Sequence, residues 1–103
     1  MSMTEAFQNL QVTGFTSRVT HLSLHAGDPG TTGASDSGIA HKALSWTTPT
    51  DGISTATATF TALVGTFPWA GLWDGATFRM GIPVGISNTV ARDVVVMVSH
   101  EVT

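Results

Sequence analysis

The sequence predicts a mainly β fold, an antiparallel sandwich or open barrel of about six to seven short strands preceded by one N-terminal helix. Three observations predict it. Residues 53–63 alternate without a break, Ala56, Ala58, Phe60 and Ala62 on one face and Thr55, Thr57, Thr59 and Thr61 on the other. Residues 19–26 alternate in the same way before a hard glycine-rich turn. Asp-Gly pairs at 51–52 and 74–75 fall between apolar runs, where a hairpin needs residues that tolerate positive φ. A chain of 103 residues makes one domain, with the helix in residues 1–18 and the β unit in 19–103.

The helix is read from Ser2 and Glu5, spaced as a capping box, and from Met3, Ala6, Phe7 and Leu10 on one face. Val12, Phe15 and Val19 continue the stripe, so its end falls between 13 and 18. In the strand that follows, Leu22, Leu24 and Ala26 point one way and His21, Ser23 and His25 the other, because strand side chains alternate with period 2. Residues 27–38 are almost entirely Gly, Ser, Thr, Asp and Pro. Structureless stretches of that length are often functional or contact-making, so an arm or wrapped surface loop is expected.

Residues 41–48 read as a strand with Leu44 and Trp46 on one face, and 49–52 as a turn. The threonine row of 55–61 suits an exposed sheet face, being β-branched yet polar. Residues 64–68 read as a loop, 69–73 as a short strand with Trp69 and Trp73 on one side, and 76–82 as the returning strand. Pro83 places that strand at an edge or a bend. Residues 85–89 read as another loop, and the run 94–98, apolar on both faces, as a central strand covered on both sides.

Charge is the unusual property. Charged residues are 11% of the chain, against roughly 25% in an average soluble domain. Net charge is −3 and only Arg18, Lys42, Arg79 and Arg92 are fixed cations, which argues against a nucleic-acid partner. Two readings fit so bare a surface: it is covered by other protein, or it is kept polar by the chain's 17 threonines and its serines. With no cysteine there is neither a disulfide framework nor a thiolate metal site. Residues 1–5 lack the basic start and apolar run of a secretory leader, and 94–98 is far short of the ~20 apolar residues that cross a bilayer. A chain made in the cytoplasm, with no membrane partner, is expected.

Little in the sequence reads as chemistry. His21 and His25 sit four apart, but on a strand that spans ~13 Å, too far for two ligands of one zinc ion. The glycines at 27, 30, 33 and 38 match neither phosphate-loop fingerprint and precede a strand instead of a helix. Asp28 and Asp36 alone make a poor calcium set. Glu5 and Glu101 are the only glutamates, one near each end, so no acid–base pair is in view and no cofactor or catalytic residue is assigned. Trp46, Trp69 and Trp73 either anchor the core and interfaces or stack on sugar rings.

Three blocks together carry a resemblance: Leu22-Ser-Leu-His-Ala-Gly-Asp-Pro-Gly-Thr-Thr-Gly-Ala34, Ile39-Ala-His-Lys-Ala-Leu-Ser-Trp46 and Gly71-Leu-Trp-Asp-Gly-Ala-Thr-Phe78. The chain resembles a family of small structural proteins of tailed phages, especially phages of actinobacteria. The second block departs from the family pattern at its tyrosine and arginine positions, and residues 81–103 lie outside the match. The resemblance implies a non-enzymatic virion component, a capsid decoration or cement protein seated on a lattice of major capsid or tail proteins. A symmetric homo-oligomer, with a trimer favoured, goes with that reading. Met3, Phe7 and Leu10 of the helix and Asp28, Pro29, Thr31 and Thr32 of the arm are the candidate assembly interface. The alternative is a minor tail or tail-fibre-like protein that binds host glycan through Trp69 or Trp73. A third reading is a cellular binding or scaffold domain with no virion role.

Overall fold

Two long strands joined by a two-residue turn make up nearly half of the chain. The computed structural model describes residues 4–101. Helix α1 (Glu5–Thr16) is followed by β1 (His21–His25), β2 (Lys42–Ala43), β3 (Ile53–Asp74) and β4 (Thr77–Glu101). They form one antiparallel sheet in the order β2-β1-β3-β4. The fold is therefore mainly β with one helix.

The strands are fewer and longer than expected. The predicted loop at 64–68 lies inside β3, and the one at 85–89 lies inside β4. The breakers there are absorbed as irregularities: the register shifts between Phe60 and Leu63, between Leu63 and Gly65, and between Phe67 and Trp69, and pairing resumes each time. Ala62 takes a positive φ of 52°, and Asp93 Oδ1 accepts its N–H at 3.0 Å, replacing the lost ladder bond. Gly65 has a φ of 127° and Gly85 one of 64°. Of the strand expected at 41–48, only Lys42–Ala43 pairs with β1.

The irregular middle lets the hairpin fold over on itself. Ala58, Phe60, Val96 and Val98 from its open end share one buried cluster with Leu22, Leu24, Ala70 and Leu72. Ile82, Val84, Ile86 and Val94 pack against the cluster while remaining partly exposed. The threonine row faces out as expected, with Thr57 and Thr59 exposed and Ala56, Ala58 and Phe60 buried. The expectation for 94–98 is corrected. β4 is the last strand of the sheet, and Val95 and Met97 on its outer face are 61% and 68% exposed.

Helix α1 is capped by Thr4, whose Oγ1 accepts the Phe7 N–H at 3.2 Å, rather than by Ser2; Ser2 and Met3 lie outside the described residues. The Glu5 side chain reaches to the turn at 51–52. Its Oε1 accepts the Asp51 N–H at 3.3 Å, and Asn9 Oδ1 accepts the Gly52 N–H at 2.8 Å. These donors are offered by the Asp51-Gly52 turn, in which both residues have positive φ, 52° and 72°, as a two-residue hairpin turn requires. The helix docks further through Val12, fully buried, and through Phe15. The Phe15 ring stacks on His100 with centroids 3.8 Å apart and meets Trp46 edge-on at 5.9 Å. The docked stripe is thus Glu5, Asn9, Val12 and Phe15, spaced three or four apart, of which Val12 is buried and the others are in part exposed. The stripe expected from Phe7 and Leu10 faces solvent, at 50% and 69% exposed.

Candidate functional site

The second face of β1 carries the densest polar and aromatic chemistry in the chain. The strand's alternation sends Leu22 and Leu24 into the core, which leaves His21, Ser23 and His25 on the far side. Pairing with β3 sets Ser23 opposite Gly71 and His21 opposite Trp73. Trp73 Nε1–H donates to Ser23 Oγ at 2.7 Å, Ser23 Oγ lies 2.5 Å from His25 Nε2, and His25 Nδ1 lies 2.8 Å from the Ala34 carbonyl. The proton positions follow from the partners. A carbonyl only accepts, so His25 Nδ1 carries hydrogen; a neutral ring's Nε2 then accepts the Ser23 hydroxyl, whose oxygen accepts from Trp73. Ser23 and His25 are both 0% exposed, and no buried side-chain polar atom among the described residues lacks a partner.

This chain of bonds needs room that only glycine leaves. A Cβ on Gly71 would lie 2.5 Å from Ser23 Oγ and 2.6 Å from His25 Nε2. A Ser–His pair at hydrogen-bond distance is the geometry of an activated nucleophile. Here the histidine is held by a backbone carbonyl, and the serine is covered by Trp73 and shut away from solvent. Both nitrogens of His25 are occupied by Ser23 and Ala34, and His21 Nδ1 lies 2.8 Å from Thr20 Oγ1. What the arrangement does is hold residues 26–38 against the sheet.

That segment is a wrapped loop. Ala26 N–H donates to the Ser35 carbonyl and Ser37 N–H to that of Leu24, while Gly33 and Ala34 both donate to Pro29. Pro29 is fully buried, its ring seated where a Cβ on Gly81 of β4 would stand. Gly33 also comes close to Trp73, where a Cβ would meet the indole at 2.9 Å. The Trp73 ring is further bounded by Phe78, edge-on at 5.2 Å, and by His41 at 4.9 Å. His41 Nε2 and Asp36 Oδ2 are 2.8 Å apart, and Asp36 Oδ1 accepts the Gly38 N–H at 3.0 Å. Partial burial pushes the Asp36 carboxyl up, but the hydrogen bonds from His41 and Gly38 outweigh it and hold the group below the ordinary carboxylate range.

Of the candidate interface residues, Asp28, Thr31 and Thr32 are exposed on the loop, and Asp28 Oδ1 ties back to the Gly30 N–H at 2.8 Å. Pro29 is buried beneath them and offers no surface. Phe7 and Leu10 are open to solvent, and Met3 lies outside the described residues. All three tryptophans are half-buried: Trp46 donates to the Val19 carbonyl at 2.7 Å, Trp73 is bonded to Ser23 and flanked as above, and Trp69 lies opposite His25 and Pro83 with no such bond. Sequence reasoning missed the tie between Trp73 and Ser23. Alternation had already placed Ser23 and His25 on one face, but nothing local identified the strand opposite. Compared with known proteins, the chain matches no family model, no curated protein and no solved structure.

Proposed function

We propose that the protein is a non-enzymatic structural component of a tailed-phage virion, a decoration or cement subunit attached to a lattice of capsid or tail protein. The observation that carries the reading is a set of exposed apolar side chains on a chain poor in charged residues. Phe7 and Leu10 stand out from a docked helix, and Val64, Val90, Val95 and Met97 stand out from the sheet. Single exposed apolar residues are ordinary, but these stand on a surface with little charge to keep it soluble. The resemblance of residues 22–34, 39–46 and 71–78 to small phage structural proteins supplies the setting. The pinned loop supports it too, since Asp28, Thr31 and Thr32 are presented on a rigid base. Against the glycan-binding alternative, the Trp73 ring is already occupied by Gly33, His41 and Phe78, which leaves Trp69 alone.

The test is the number of copies per particle, by quantitative mass spectrometry of purified virions against the major capsid protein. A count comparable to that protein's supports a lattice subunit. A count of a few copies moves the chain to the tail tip and favours host binding, and absence from particles overturns both. The double variant Phe7→Ser with Leu10→Ser should fold normally and lose its place on the particle. Retention at wild-type copy number would remove the helix from the interface.

A further inference from the structure

Among the described residues no strand pairs with the outer edge of β4, and its two halves are not equally guarded. In the first half, Arg79, Gly81, Pro83 and Gly85 interrupt the edge, and Pro83 has no N–H to offer. These are the devices by which proteins keep sheet edges from pairing. In the second half the guards are confined to Arg92, Asp93 and Glu101 at its ends, and the run between them, residues 94–99, holds no charge, no proline and no glycine. Beside it, a groove of about 320 Å³ is lined by Pro83, Val84, Ile86 and residues 94–97, with no residue of β3. On this side the core is not closed, for Val84, Ile86 and Val94 pack on the central cluster and still reach solvent.

We infer that a second copy of this chain closes the groove, through antiparallel pairing of β4 with β4 across a two-fold axis at Val96. The argument for a second copy is that the edge complements itself. A two-fold that keeps both inner faces on one side of the extended sheet must pass through a residue position. Centred on Val96, it sets Val95 against Met97 of the second copy and Val94 against Val98, and each pair occurs twice. Asp93 then meets Ser99, Arg92 meets His100 and, at the very end of the strand, Ala91 meets Glu101, so no like charges are opposed. Centred on Met97, it would set Asp93 against Glu101; centred on Val95, it would set Asp93 against Met97. Like charges directly opposed across strands are destabilising, and a carboxylate seated among apolar side chains in mid-interface loses its solvent. The favoured register covers the two most exposed apolar side chains of the strand, Val95 and Met97, with each other. The axis is two-fold, where the sequence favoured a trimer. The inference holds whether or not the protein belongs to a virion.

The chain has no cysteine, so the register can be read by cross-linking. Two single variants, Val95→Cys and Met97→Cys, are purified separately and oxidised alone or mixed. In the inferred dimer, residue 95 faces residue 97 of the other copy, whereas each residue is only diagonal to itself and beyond disulfide reach. Cross-links should form in the mixture and not in either variant alone. Sedimentation should give twice the chain mass for the wild type, and the chain mass for Val95→Lys with Met97→Lys, with unchanged circular dichroism. A wild type that is monomeric at its highest soluble concentration overturns the inference. So does an assembly that survives both lysines, or cross-linking that is as fast within one variant as in the mixture.

Discussion

At the scale of single residues, the molecule is most sensitive where a glycine makes space for a polar contact. Gly71→Ala would drive a methyl group into Ser23 and His25. It should destabilise the fold by about 1–3 kcal/mol, the usual cost of overpacking, as read from urea denaturation. A wild-type midpoint would mean that the loop is not held by this chain of bonds. The converse change sits at Ala62, a non-glycine residue at positive φ. Ala62→Gly should raise stability by up to about 1 kcal/mol, since an L-residue in the left-handed region is strained by about that amount. Asp36 sets an acid limit. Its folded carboxyl ionises below the ordinary range, so the fold stabilises the charged form. That contribution is complete above the ordinary carboxylate value and is lost as pH falls through the lowered one. Asp36→Asn should therefore flatten the acid limb of a stability–pH curve and leave little pH dependence there from this group. An unchanged limb would assign it to other carboxylates.

At the scale of elements, local patterns were legible in the sequence and partners were not. The threonine row and the Asp51-Gly52 turn were predicted correctly, because alternation and positive-φ preference are properties of a few adjacent residues. The strand ends were not. Glycine at 65 and 85 and proline at 68 read as loops, yet the ladder passes through them, because pairing on both sides outweighs a local break, whereas Pro83, read as an edge or a bend, does lie in the edge strand. Helix α1 shows the same limit. Phe7 and Leu10 are the more apolar stripe, but the inner face is chosen by what lies beneath it, and the Asp51 and Gly52 N–H groups select Glu5 and Asn9. The run 94–98 misled for a related reason. Two apolar faces signal burial, and within one chain only the inner face is buried. For the site, the polar face of β1 could be read in advance, but its tie to Trp73 depended on a strand register set some fifty residues away. The cap is a simple test of the helix: Thr4→Ala should cost about 1 kcal/mol, with the loss confined to helical circular dichroism if α1 frays on its own.

At the scale of the whole molecule, the folded-over hairpin, the helix and the pinned loop divide the surface into parts with different tasks. The helix and β1 cover one side of the cluster, the loop from 26 to 38 is fastened over the far face of the sheet, and the β4 side is left open. The two long strands also fix the order in which the chain can assemble. Partners along the β3–β4 ladder run from near neighbours at Asp74 and Thr77 to residues half a chain apart at Ile53 and Glu101. Each pair formed from the turn outward shortens the loop that the next must close, so the ladder can zip from one nucleus at small entropic cost per step. β1 has no such path into the main ladder, because its partners in β3 lie some fifty residues away and are in place only once β3 is extended. Refolding should then be ordered in time. In pulse-labelled hydrogen exchange, amides beside Gly75-Ala76 should be protected first, those of Ile53 and Glu101 later, and β1 with its fastened loop last.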